Sequence, residues 1–156
     1  MFPIHNRQID YLQLEWYETN KRIMHKKTLG GTSLEIRFLK ENPSLSEGDI
    51  LYQDESVLIV VDIKACDALM ITPKNTFEVA SICYEIGNKH LPLFYHNHQL
   101  LVAYEAPLFR LLSAAGYQVD RGICKLLSPL KTSVAPHGSS SETLFTKIMK
   151  LTNSND

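Results

Sequence analysis

Cysteine is scarce in this chain of 156 residues: Cys66, Cys83 and Cys124 make an odd number, with no C-x-x-C pair among them. That pattern supplies neither a disulfide framework nor a zinc-ribbon site, and it fits a reducing compartment. Charge of one sign is missing too. Sixteen Lys and Arg against seventeen Asp and Glu leave a net charge of −1, so nothing draws the chain generically to nucleic acid or to an acidic membrane. No stretch approaches the ~18 consecutive apolar residues of a membrane span. The opening Met1-Phe2-Pro3-Ile4-His5 lacks the charged start and apolar run of a secretory leader. The expectation is a cytoplasmic protein with no membrane and no nucleic-acid partner. Catalytic grammar is also lacking: there is no H-E-x-x-H, no glycine-rich phosphate cradle after a strand, and no nucleophile set beside a base and an orienting acid. The aromatic and basic signature of an RNA-recognition sheet is absent as well. The chain reads as a non-enzyme.

What is present is apolar patterning, 44% of residues, enough to bury a core. Residues 1 to about 10 show no period and read as a lead-in. Leu12, Leu14 and Trp16 alternate with polar residues as a half-buried strand requires. Ile23 to Thr28 suggests a second strand before a Gly30-Gly31 turn, and Leu34, Ile36 and Phe38 alternate again. The basic run Lys21, Arg22, His25, Lys26 and Lys27 reads as a solvated strand face. After the turn formers Asn42 to Asp49, Ile50 to Tyr52 and Val57 to Val61 give two more short strands. No helix is needed before residue 74.

The pattern then changes. Ala68 to Thr72 reads as a strand. Asn75-Thr76-Phe77-Glu78 reads as a helix start, and Val79, Ile82, Cys83 and Ile86 as its apolar face, with Gly87 closing the helix in the left-handed region. His90 to Tyr95 and Gln99 to Tyr104 form a hairpin across His96-Asn97-His98. Pro107 opens a second helix with Leu108, Leu111, Leu112 and Ala115 as its buried stripe and Gly116 as its end. Tyr117 to Leu127 is the last strand, with Gly122 at a bulge. The order βαββαβ predicts a ferredoxin-like unit, two helices on one face of a four-stranded antiparallel sheet. The fold class is therefore α+β: residues 1–73 a small all-β domain, 74–130 the ferredoxin-like domain, and 131–156 a flexible tail in which Glu142 to Leu151 can form a short helix.

Histidine is the remaining source of chemistry: His5, His25, His90, His96, His98 and His137. His90 stands at the junction of helix and strand, where it is either a hydrogen-bonded structural residue or a metal ligand. His96 and His98 form an ordinary polar turn or chelate one ion. His137 lies in a Pro-Gly context.

These residues resemble the urease accessory protein E family over Leu12 to Leu127. Lys21-Arg22, then Thr28 with a Gly pair, then Leu45-Ser46-Glu47-Gly48-Asp49-Ile50-Leu51 are similar to that family's N-terminal β domain. Gly87-Asn88-Lys89-His90-x-Pro-Leu is similar to its Gly-Asn-Arg-His signature with Lys89 in place of Arg, and Leu108, Leu112 and Gly116 fall where its second helix keeps Leu and Gly. The resemblance implies a homodimer that carries Ni2+ at its two-fold axis, with His90 contributed by both chains and His137 as a further ligand from the C-terminal segment. It also implies that residues 74–130 serve metal binding and dimerisation, that Zn2+ or Cu2+ can substitute in vitro, and that the partners are the urease apoprotein and the accessory GTPase of urease activation. Some relatives carry a His-x-His pair entering the second helix, where this chain has Tyr104-Glu105-Ala106. The alternative function is a metal-independent assembly module in which His90 is structural.

Overall fold

Alternation of apolar and polar residues places Asp10, Leu12 and Leu14 on the inner face of the first strand, β1 (Gln8–Leu14), in a computed structural model that describes residues 7–39 and 42–131. The strand begins at Gln8, inside the stretch expected to be a lead-in. β1 runs parallel to β5 (Val57–Ile63), which also pairs antiparallel with β4 (Ile50–Gln53). β2 (Ile23–Lys27) and β3 (Ser33–Arg37) form a separate antiparallel ribbon with Ile23 opposite Arg37. Leu12, Leu14, Met24, Ile59, Val61 and Ile63 close over one another as the core of this N-terminal all-β part.

Two expectations change here. Trp16 does not continue β1: Trp16–Glu18 is a single 3-10 turn, because the buried Glu18 carboxylate accepts the Glu15 amide at 3.0 Å and ties the chain back. The basic run is not uniformly solvated either. His25 and Lys27 are exposed, but Lys26 turns inward to pair with Glu18, and Lys21 reaches the same carboxylate at 3.4 Å. Burial pushes Glu18 up, yet its hydrogen bonds to Lys26 and the Glu15 amide outweigh this and hold it below the usual carboxylate range.

The second sheet comprises β6 (Cys66–Ile71), β7 (Phe94–His96), β8 (Gln99–Ala103) and β9 (Val119–Cys124) in the order β7-β8-β6-β9, antiparallel throughout. Its first strand lies ahead of residue 74, where the sequence division starts the second unit. Leu69, Ile71, Leu100 and Val102 on one face meet Ile82 and Ile86 of α1 (Thr76–Asn88) and Leu108 and Leu112 of α2 (Ala106–Ala114). The expected ferredoxin-like unit is thus present. Its other face carries Ala68, Leu101 and Phe94, and the Trp16 ring stands edge-on to Phe94 at 5.7 Å, joining the two parts. Lys125 adds a second tie, reaching Glu47 and Asp62 at 2.7 Å each.

Asn75 caps α1 as its sequence predicts, accepting the Glu78 amide at 2.9 Å. Glu105 does the same for α2, accepting the Leu108 amide at 2.8 Å, and Pro107 occupies the second helical position, where its missing N–H costs nothing. Of the α2 stripe, Leu108 and Leu112 are buried, but Leu111 and Ala115 face outward. Gly122 makes no bulge: it pairs in regular register with Ala68, and its missing Cβ leaves room for the Met70 methyl, which a Cβ there would meet at 2.8 Å. Among the described residues no helix is long and apolar enough to cross a membrane.

Candidate metal centre

His90 owes its placement to the way α1 stops. The helix does not end at Gly87, which is helical; it runs on to Asn88, with Lys89 as a right-handed cap at φ −84°. The left-handed residue that closes it is His90 itself, at φ +55°. Two backbone bonds then lock the turn: the His90 amide donates to the Gly87 carbonyl at 3.0 Å, and the Leu91 amide to the Ile86 carbonyl at 3.3 Å. This is the Schellman pairing, and Leu91 packs back on the cluster that contains Ile86, the apolar contact that accompanies it. The α2 terminus repeats the arrangement with glycine. There the Gly116 amide donates to Ser113 at 3.0 Å and the Tyr117 amide to Leu112 at 3.1 Å, with Gly116 at φ +82°.

An exposed imidazole therefore sits on a backbone fixed at both neighbours, beside the negative end of a helix that favours a cation. Lys89 beside it is also exposed. No group of three or more His, Cys, Asp or Glu able to hold a metal occurs among the described residues. His137 lies outside the described residues. His96 and Gln99 face each other across a two-residue turn in which Asn97 (φ +47°) and His98 (φ +63°) are both left-handed, as a type I′ hairpin demands. The His98 Nδ1 lies 3.4 Å from the Tyr95 hydroxyl. At the entry to α2, Glu105 is used as the cap and the Tyr104 ring lies 3.7 Å beneath the Arg121 guanidinium, which binds Asp67 through two nitrogens. Arg121 holds the Asp67 carboxyl below its usual range.

The chain of α1 also presents apolar surface toward solvent. Phe77 is 76% exposed and Tyr84 71% exposed. With Ala80, Leu111 and Ala115 they border a groove of about 640 Å3 between the two helices. The sequence did not point to this face, because Leu111 and Ala115 were expected in the buried stripe of α2, whereas both face outward. Nor did it point to a pair of cysteines: Cys66 and Cys124 stand directly opposite each other on β6 and β9. Cys124 fell within an expected strand, but the strand carrying Cys66 was expected only from Ala68, so its start and the register were the missing signals.

Comparison with known proteins bears on the whole chain. The model of the UreE urease accessory protein N-terminal domain matches residues 3–64, and that of the UreE C-terminal domain matches residues 66–139. The urease accessory protein UreE of Flavobacterium johnsoniae is 46% identical over 151 residues, covering 96% of this chain and 92% of the relative. That of Helicobacter pylori is 43% identical, covering 83% and 78%, and that of Acetivibrio thermocellus 37% identical, covering 79% and 80%. With both domain models matched in order and the similarity running nearly end to end, the chain belongs to the UreE family of urease accessory proteins.

Proposed function

We propose that this protein is a nickel carrier of urease maturation. In this reading a cytoplasmic homodimer takes up Ni2+ between two copies of His90 and hands it, with the accessory GTPase, to the urease apoprotein, catalysing no reaction itself. The observation that carries the reading is the exposed His90 imidazole on a locked left-handed backbone. A residue required only to close the helix would be glycine, as Gly116 is at the end of α2.

One imidazole cannot retain a transition ion, but a residue near a two-fold axis meets its own copy, and paired imidazoles suit Ni2+. The outward face of α1, which leads toward His90 through Phe77 and Tyr84, supports the homodimer, since an exposed apolar patch marks an interaction surface. Residues 1–73 would dock the partner proteins and 74–130 would hold metal and dimer contacts. The segment 131–156 would supply His137 as an additional ligand. Zn2+ or Cu2+ would occupy the same imidazoles in vitro.

Calorimetry on the full-length protein tests this. Wild type is expected to bind one Ni2+ per dimer at the shared site and His90→Ala to lose at least about 100-fold in affinity; equal affinity removes the reading. The metal-independent alternative has one observation in its favour, that His90 does close α1. It is favoured instead if dimers form without regard to nickel and His90→Ala retains full urease activation.

A further inference from the structure

Cys66 and Cys124 are cross-strand neighbours at one end of the β6–β9 ladder, and both thiols are free and half-buried. The kind of pair they form follows from the other end. The Thr72 amide donates to the Gln118 carbonyl at 3.0 Å, which makes those opposed residues a hydrogen-bonded pair. Antiparallel pairs alternate, so Met70–Asp120, Ala68–Gly122 and Cys66–Cys124 are hydrogen-bonded pairs as well. In such pairs the Cβ atoms stand about 5.5 Å apart. A disulfide needs about 3.5–4.5 Å between Cβ atoms, so the ladder sets these Cβ atoms roughly 1 Å wider than an undistorted disulfide takes. Two metal–sulfur bonds of about 2.3 Å each, by contrast, span up to about 4.6 Å between sulfurs and bridge the gap.

A third sulfur lies on the same face. Met70 follows Cys66 by four residues along β6, and its methyl occupies the space over Gly122, two residues from Cys124 along β9. Cys66, Met70 and Cys124 pack on the same cluster of Ala68, Phe94, Leu101 and Leu126, on the side of the sheet away from the helices, and each remains partly open to solvent.

We infer that Cys66 and Cys124, with the Met70 thioether beside them, form a binding site for a soft, thiophilic cation, best matched by Cu+. Thiolate and thioether ligands select that ion over nickel or magnesium. Binding is a ligand exchange without electron transfer: each thiol releases its proton to solvent as its sulfur bonds the cation, so one Cu+ displaces two protons.

The test is an anaerobic titration of the full-length protein with Cu+ against a chromophoric Cu+ chelator, with X-ray absorption of the loaded sample. Wild type and Cys83→Ser are expected to bind one Cu+ per chain in a sulfur shell. Cys66→Ser and Cys124→Ser, each checked for unchanged thermal unfolding, are expected to lose at least about 100-fold in affinity, more than the 10–100-fold of an outer-sphere change. Met70→Leu is expected to lose about tenfold. Wild-type affinity in either serine variant, loss of binding in Cys83→Ser, or a nitrogen shell around the copper would overturn the assignment.

Discussion

Replacing His90 with glycine should make the protein more stable. α1 and α2 end in the same pair of backbone hydrogen bonds, but the left-handed position belongs to His90 in one and to Gly116 in the other. A Cβ at positive φ costs about 1–2 kcal/mol. Glycine gives back about 0.5–1 kcal/mol of this through its greater freedom in the unfolded chain. The exposed imidazole contributes no burial that would be lost. His90→Gly should therefore gain about 0.5–1 kcal/mol, a rise in Tm of about 1–4 °C for a chain of this size. His90→Ala keeps a Cβ and should stay within a few tenths of a kcal/mol of wild type. Gly116→Ala, where an added Cβ meets nothing within 4 Å, should lose about 1 kcal/mol on conformational grounds alone. The assay is thermal and chemical unfolding of the four proteins in chelator, so that metal binding does not add its own stabilisation. If His90→Gly is no more stable than His90→Ala, the left-handed backbone stores no strain at this position and the reasoning fails.

Gly30→Ala is expected to destabilise by about 1–2 kcal/mol in urea unfolding, because its Cβ would stand 2.7 Å from the Asp10 Oδ2 of a carboxylate whose Oδ1 is held by the Gly30 and Tyr11 amides. Asp54 accepts the Val57 and Ser56 amides and the Ser56 hydroxyl, which bring its carboxyl down from 3.8 to about 2. Its folded value lies below its unfolded one, so its stabilisation is complete above about pH 4 and is lost as pH falls through 2. A carboxyl-carbon NMR titration should place its midpoint near 2, and a midpoint near 4 would rule this out. Tyr84→Asp, which puts a charge on the exposed face of α1, should shift sedimentation of the proposed homodimer toward the monomer while leaving Tm in chelator nearly unchanged.

The parts of this fold that were legible in the sequence are those set by local chemistry. Asn75 announces α1, Gly116 ends α2, and the alternation of Leu12 and Leu14 declares an inward strand face. What stayed hidden depends on partners distant in sequence. Nothing local says that β1 pairs parallel with β5, whereas the turn at Trp16 had a local signal that was overlooked, the Glu15–Glu18 capping box. Gly87 misled for a physical reason: glycine is the usual left-handed closer, and a histidine three residues later took that conformation. The Cys66–Cys124 contact is a matter of register, since a shift of one residue would place the two thiols on opposite faces.

On the proposed reading, the closure of α1 explains how one side chain per copy can serve a carrier. A ligand on a loose loop would lose backbone freedom each time it bound, at about 1–2 kcal/mol per residue ordered. At His90 that ordering is already done by the Gly87 and Ile86 carbonyls before any cation arrives. The strain of about 1 kcal/mol is carried by the folded protein, where the cores around Leu69, Ile82 and Leu112 absorb it. Affinity is then set by ligand number rather than by how much chain must be ordered. A shared site with few imidazoles can thus hold an ion firmly enough to transport and still release it to a partner that offers more ligands.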